Sequence, residues 1–259
     1  MNNLFKYIGL TTILLFGFYY TEKMSNMVIF NSELVSKIVE EEKNYEYTAI
    51  DAIIDGDYII PGLNGNNINV IKSYNNMKAI EVFNSHYLVY DLVIPSISLE
   101  NNKDKIIKNG NVMKNAVAII VEDNEDVINY ATKNNIKVSR LINIDTYNKF
   151  ANYEQINHDF TNFSDMELLL NKHNQNKDIC YITGNNKDLC LKEDKYLVEA
   201  TITLNNANLA NVKNAVSSGY IIKISNSVDL TDFKILLRQI CYKDLVVIGL
   251  SELITEERD

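Results

Sequence analysis

The sequence predicts an α/β protein built on a largely parallel sheet, and three observations carry that prediction. The run Ala116-Val117-Ala118-Ile119-Ile120-Val121 is short, apolar and rich in β-branched residues, the pattern of a strand buried on both faces. It ends in Glu122-Asp123-Asn124, so it delivers polar groups at its C-terminal end, where α/β folds keep their sites. From there onward, strand-like runs alternate with amphipathic stretches, about seven strands in all, and crossover handedness favours a parallel arrangement. Periodicity leaves open whether the sheet stays open or closes into a barrel.

Taken in order, Leu4 to Tyr20 is apolar apart from Lys6 and Thr11-Thr12. A stretch of about 17 residues is at the short end of what spans a bilayer. Lys6 on one flank and Tyr19-Tyr20 on the other fit a signal-anchor over residues 1–25, and Glu22-Lys23-Met24 is a poor cleavage site. The expectation is a single-pass protein of the cell membrane with the rest of the chain extracytoplasmic; a cleaved signal peptide is the alternative.

Residues 26–110 read as a small α+β annex. Asn31 or Ser32 caps a helix through Leu34, Val35, Ile38 and Val39, with Glu40-Glu41-Glu42 as its solvated face. Strands follow at Ile50–Ile54 and Tyr58–Ile60, a turn at Pro61-Gly62-Leu63-Asn64-Gly65, and further strands at Ile68–Val70, Tyr87–Tyr90 and Leu92–Ile94 around a short helix at Ser73–Lys78. Asn101 to Gly110 is polar and aperiodic and marks the boundary to the main domain, residues 111–259.

In that domain the expected order is strand 116–121, helix 126–134, strand 138–142, helix 145–151, strand 155–157, a helix from Ser164, strand 179–182, strand 198–202 and helix 209–217. Gly219 closes that helix, and strand 220–224, a helix capped by Asp229 or Thr231, strand 245–248 and a turn capped by Ser251 complete the chain.

Composition excludes several functions. The net charge is −9 and the few arginines, Arg140, Arg238 and Arg258, are scattered, so no basic stripe offers itself to nucleic acid. None of Cys180, Cys190 and Cys241 forms a C-x-x-C pair, which argues against a thiolate zinc site. Cys180 and Cys190 are either a disulfide or two small core residues; Cys241 sits in a helical apolar pattern and packs.

The C-terminal stretch Gly219-Tyr220-Ile221-Ile222, an amphipathic helix, then Asp244-Leu245-Val246-Val247-Ile248-Gly249-Leu250-Ser251-Glu252-Leu253 resembles the closing elements of polysaccharide deacetylases of the NodB-homology type. The resemblance implies an incomplete (β/α)7 barrel over about residues 112–259 and metal-dependent removal of acetyl groups from envelope glycans. Catalysis in that family needs an Asp base, zinc or a similar divalent ion held by an Asp and two His, an Arg that orients the base, and a late His as acid. The metal lowers the pKa of its bound water and the carboxylate takes that water's proton.

Laid on the family's motifs, Glu122 stands at the base position, Asp123 at the metal position and Asn124 at the turn glycine. His158-Asp159-Phe160-Thr161-Asn162 resembles the paired-histidine motif, with His158 as the retained ligand and Asn162 at the second. The arginine motif expected near Cys180–Asn185 is missing, and Ser225 stands where the acid histidine belongs. His86 and His173 are placed to replace neither. Two ligands hold zinc poorly. The reading is therefore a degenerate deacetylase-like protein that needs no cofactor, with a cell-envelope glycan as its partner, bound on tyrosines such as Tyr147, Tyr153 and Tyr181. The alternative is an active metal-dependent deacetylase with a rearranged site, in which Glu122, Asp123 and His158 work.

Overall fold

The computed structural model describes residues 7–20, 32–158, 161–175, 177–184 and 186–258. It divides into two compact units, one of residues 1–49 and 65–93, the other of residues 50–64 and 94–259. Residues 50–64 and 94–110, read from sequence as annex, thus belong to the larger unit.

In the smaller unit, helix α1 (Glu33–Tyr45) is capped by Ser32, whose hydroxyl accepts from the Val35 amide. The antiparallel pair β3 (Gly65–Ile68) and β4 (Tyr90–Val93) and helix α2 (Val70–Met77), capped by Asn69, complete it around Ile38, Ile68, Met77 and Leu88. Tyr87, expected in a strand, ends a 3-10 turn.

Residues 7–20 are helical with exposed side chains. At about 1.5 Å per residue this helix is roughly 21 Å long against a hydrocarbon core of about 30 Å. Among the described residues no helix is long and apolar enough to cross a membrane, which overturns the single-pass membrane localisation expected from the sequence. The flanks of that expected anchor, residues 1–6 and 21–25, lie outside the described residues.

The larger unit carries two sheets. One has the order β1 (Ile53–Asp55), β2 (Tyr58–Ile60), β5 (Ile106–Ile107), β10 (Tyr196–Val198), β9 (Ile179–Tyr181); it is parallel except for the β1–β2 hairpin, whose turn uses Gly56 at φ +59°. The other is wholly parallel: β11 (Ile202–Leu204), β12 (Ile221–Ile224), β6 (Ala116–Val121), β7 (Ser139–Ile142), β8 (Glu154–Asn157), with β13 (Val246–Ile248) also on β6. Ala118 has partners on both sides, Ile221 and Ile248, so one edge of β6 is shared, β13 taking its first half and β7 its second.

Every residue of β6 is buried, and its faces split cleanly. Ala116, Ala118 and Ile120 join an inner core with Ile107, Leu141, Ile156, Ile179, Val198 and Ile221, drawn from both sheets. Val117, Ile119 and Val121 pack outward against α3 (Glu125–Lys133) and α7 (Leu230–Tyr242), which supply Val127, Ile128, Ala131, Phe233, Leu236 and Ile240. Helices α4 (Phe163–Lys172), α5 (Lys187–Lys192) and α6 (Leu209–Ala215) complete the outer layer, while α8 (Leu250–Ile254) sends Leu250, Leu253 and Ile254 into the inner core.

Several expected elements differ. Residues 145–151 are turns, because the Asn143 side chain accepts from the Asp145 and Thr146 amides and offers the backbone an alternative to helix. The single strand expected over 198–202 is two, β10 and β11, one in each sheet. Gly249 rather than Ser251 precedes the final helix. Cys180 on β9 and Cys190 on α5 form a disulfide.

Candidate functional site

Strand parity decides where the polar end of β6 goes. Glu122 returns to the inner side occupied by Ala118 and Ile120, whereas Asp123 faces outward with Val121. On β12, Ile222 and Ile224 pack in the outer core, so Lys223 between them is the inward residue. Its Nζ lies 3.2 Å from Glu122 Oε1, the two side chains 16% and 33% exposed. The same ammonium stands 5.7 Å from the ring centre of the buried Tyr181, which reaches the inner core from β9. Burial pushes the Tyr181 phenol up to about 12, with the Glu199 and Glu122 carboxylates adding to the effect and the Ala200 backbone opposing it.

Asp123, 74% exposed, has Oδ1 3.6 Å from Arg140 Nη2. That guanidinium lies on the outer side of β7, is almost fully buried, and makes its close ion pair with Glu125 in the first turn of α3. Its Nη1 is 3.4 Å from the Tyr153 hydroxyl, and its Nε is buried with no hydrogen-bond partner among the described residues. Arg140 is thus no replacement for the family's orienting arginine, since it serves the outer face while Glu122 sits inside. Asn124 has become a joint: its Oδ1 accepts from the Val127 amide to cap α3, while its Nδ2 donates to the Val228 and Ser225 carbonyls beyond β12.

His158 continues β8, its amide donating to Ile142 O at 2.9 Å. The register aligns Val121, Arg140 and Gln155, which puts His158 level with Asn124, two residues beyond Glu122. At about 3.3 Å per residue that is roughly 7 Å further along the strand direction. Asp159 and Phe160 of the sequence motif lie outside the described residues, and Asn162 is the residue before α4, accepting through its carbonyl from the Met166 amide.

These donors do not fit a zinc ion. Glu122 is engaged by an ammonium, Asp123 turns to the opposite side of the sheet toward a guanidinium, and zinc asks for three or four converging ligands. Among the described residues no three His, Cys, Asp or Glu side chains gather in a metal-binding arrangement.

The remaining candidates are scattered. The Ser225 hydroxyl pairs with that of Ser227 at 2.9 Å, and no base lies in that contact. His86 sits in the 3-10 turn of the smaller unit. His173, at the end of α4, hydrogen-bonds and stacks with Tyr147. The three tyrosines expected to line one groove stand apart: Tyr147 is on His173, Tyr153 against Arg140, and Tyr181 in the inner core. Two concavities, about 370 and 230 Å³, open instead near the starts of β8 and β9 and the last helix, lined by Glu154 and Gln155 in one and Ile179 and Tyr196 in the other.

Sequence reasoning passed over Lys223 and Arg140. The signal for Lys223 was its place in Ile221-Ile222-Lys223-Ile224, since parity with inward Ile221 aims it at the strand mouths.

No family model matches the sequence. The uncharacterized protein YlxY of Bacillus subtilis (strain 168) is 35% identical over 89 residues, 34% of this chain and 28% of that relative, so the match spans little more than a quarter of its length. Among solved structures, a CE4 family pseudoenzyme from Bacillus anthracis superposes with a TM-score of 0.59 at 18% identity, over 88% of this chain and 97% of the other. A mutant of that pseudoenzyme with restored enzymatic activity gives 0.60 at 19% identity, over 88% of this chain and all of the other. The chain shares with these CE4 structures an α/β fold built on parallel sheets.

Proposed function

We propose that the chain is a divergent relative of the CE4 polysaccharide deacetylases, on their incomplete (β/α)7 barrel, that does not hydrolyse acetyl groups and serves as a glycan-binding or scaffold module. The observation that carries this reading is the Lys223 ammonium 3.2 Å from Glu122. A general base must be within hydrogen-bond reach of the water it deprotonates, and the ammonium donates its own protons to that carboxylate. Glu122 accordingly works as a structural counter-ion between β6 and β12. Loss of a single metal ligand costs a metalloenzyme orders of magnitude in activity, and the resemblance puts Asn162 at a ligand position and Ser225 at the position of the acid histidine.

The test is acetate release from acetylated chito-oligosaccharides and peptidoglycan by the full chain loaded with zinc, cobalt or nickel, beside metal analysis and co-sedimentation with insoluble peptidoglycan and chitin. Expected are no acetate, no stoichiometric metal, and saturable retention on one glycan. Acetate release that disappears in Glu122→Gln and Asp123→Ala would overturn the reading and establish an active deacetylase with a rearranged site. Restored activity in the B. anthracis mutant shows that such a loss was reversible in that protein, which makes the acetate arm worth running on Lys223 variants as well.

A further inference from the structure

Outside the strand mouths the larger unit buries a second set of reactive groups. Asn157, at the end of β8, is 1% exposed; Glu167 on α4 and Lys195 before β10 are each 3% exposed. Asn157 Nδ2 donates to Phe163 O at 3.0 Å and to Glu167 Oε1 at 2.9 Å, so the backbone carbonyl fixes which end of the amide carries nitrogen. Lys195 Nζ lies 2.7 Å from Glu167 Oε2, with the exposed Asp178 carboxylate 3.7 Å away. One carboxylate therefore holds an amine on one oxygen and a primary carboxamide on the other, beside the apolar cluster of Phe163, Leu197 and the Cys180–Cys190 disulfide.

We propose that this trio is an autocatalytic cross-linking site that forms an isopeptide bond between Lys195 and Asn157. The reaction starts with transfer of one proton from the Lys195 ammonium to Glu167 across their 2.7 Å contact, which leaves a neutral amine beside a carboxylic acid. The amine lone pair attacks Asn157 Cγ and forms the new N–C bond. Glu167 gives its proton to Nδ2, the Cγ–Nδ2 bond breaks, and ammonia leaves. The carboxylate then takes the surplus proton from the new amide nitrogen. Nothing is oxidised or reduced, and no co-reactant is needed. The two nitrogens that must exchange protons, attacking and leaving, are the two that Glu167 already touches. The place has a use for a covalent tie: β8 ends one sheet and β9 the other, with no ladder between them, and the bond would span that seam from β8 to the segment entering β10.

The test is the intact mass of the full chain, denatured and with its disulfide reduced. Loss of one ammonia predicts a mass about 17 Da below the sequence mass, with a branched peptide joining residues 157 and 195 after proteolysis. A mass equal to that of the sequence, or one unit higher from simple deamidation, overturns the proposal on the wild-type protein alone. Glu167→Gln and Lys195→Met are each expected to show the full mass of their own sequence, and an ammonia deficit persisting in either also overturns it.

Discussion

Replacing Lys223 with methionine keeps the length and apolar stem of the side chain and removes only the charge that faces Glu122. At 3.2 Å and an effective dielectric near 20, the pair attracts by about 5 kcal/mol. Glu122 is one-third exposed, so water recovers much of that once the partner is gone, and the expected net loss is about 2 kcal/mol. For a chain of this size that is a fall in Tm of roughly 4–8 °C. The assay is urea or thermal unfolding of Lys223→Met, Glu122→Gln and the double variant. The double variant, with neither charge left to desolvate, should come back to within about 1 kcal/mol of the wild type. If the double variant is as destabilised as Lys223→Met, the ion pair is not what organises the mouth, and the argument that Glu122 is a structural counter-ion fails with it.

Three further outcomes follow from the packing. The Tyr181 phenol, raised from 10.0 to about 12 in the native state, is neutral there while the unfolded chain ionises; its contribution of at most about 3 kcal/mol is present below pH 10 and is lost as pH climbs toward 12, and Tyr181→Phe should lessen the alkaline fall in pH-resolved unfolding curves, leaving the part due to Tyr196. Gly219 has φ +83° and a side chain there would meet Gly110 O at 2.4 Å, so Gly219→Ala should cost more than about 3 kcal/mol, read as a loss of folded protein by circular dichroism. Asn124→Ala removes a helix cap and two ties to the loop after β12, and should cost about 2 kcal/mol in denaturant unfolding, whereas Asn124→Asp, which keeps the cap but sets a buried carboxylate oxygen against the Val228 and Ser225 carbonyls, should cost at least as much.

What the sequence made legible was what local pattern encodes. The six-residue run of β6 announces burial on both faces, and Asp229 ahead of an amphipathic stretch announces α7, whose Asp232 amide it accepts. Ile106-Ile107 was hidden because two apolar residues in a charged stretch carry no period, yet they pair on both sides in the middle of a sheet. The site was read by motif, which put Glu122 and Asp123 together as neighbours in sequence. In a strand, neighbours face opposite sides, and that places one carboxylate inside with Lys223 and the other outside with Arg140. Neither basic partner is near them in sequence, so only register could bring them into view.

The shared edge of β6 has a consequence for how the protein is made. The strand at the centre of the larger unit leaves the ribosome well before the partner of its first half, Val246–Ile248, which follows more than a hundred residues later. Until then Ala116 to Ala118 present an open ladder in a wholly apolar strand, the kind of surface that pairs with whatever strand is nearby. The nascent chain therefore has a long window in which its most hydrophobic element is incomplete. Chaperone dependence and aggregation during synthesis should be set by arrival of the last strand rather than by the stability of the finished fold.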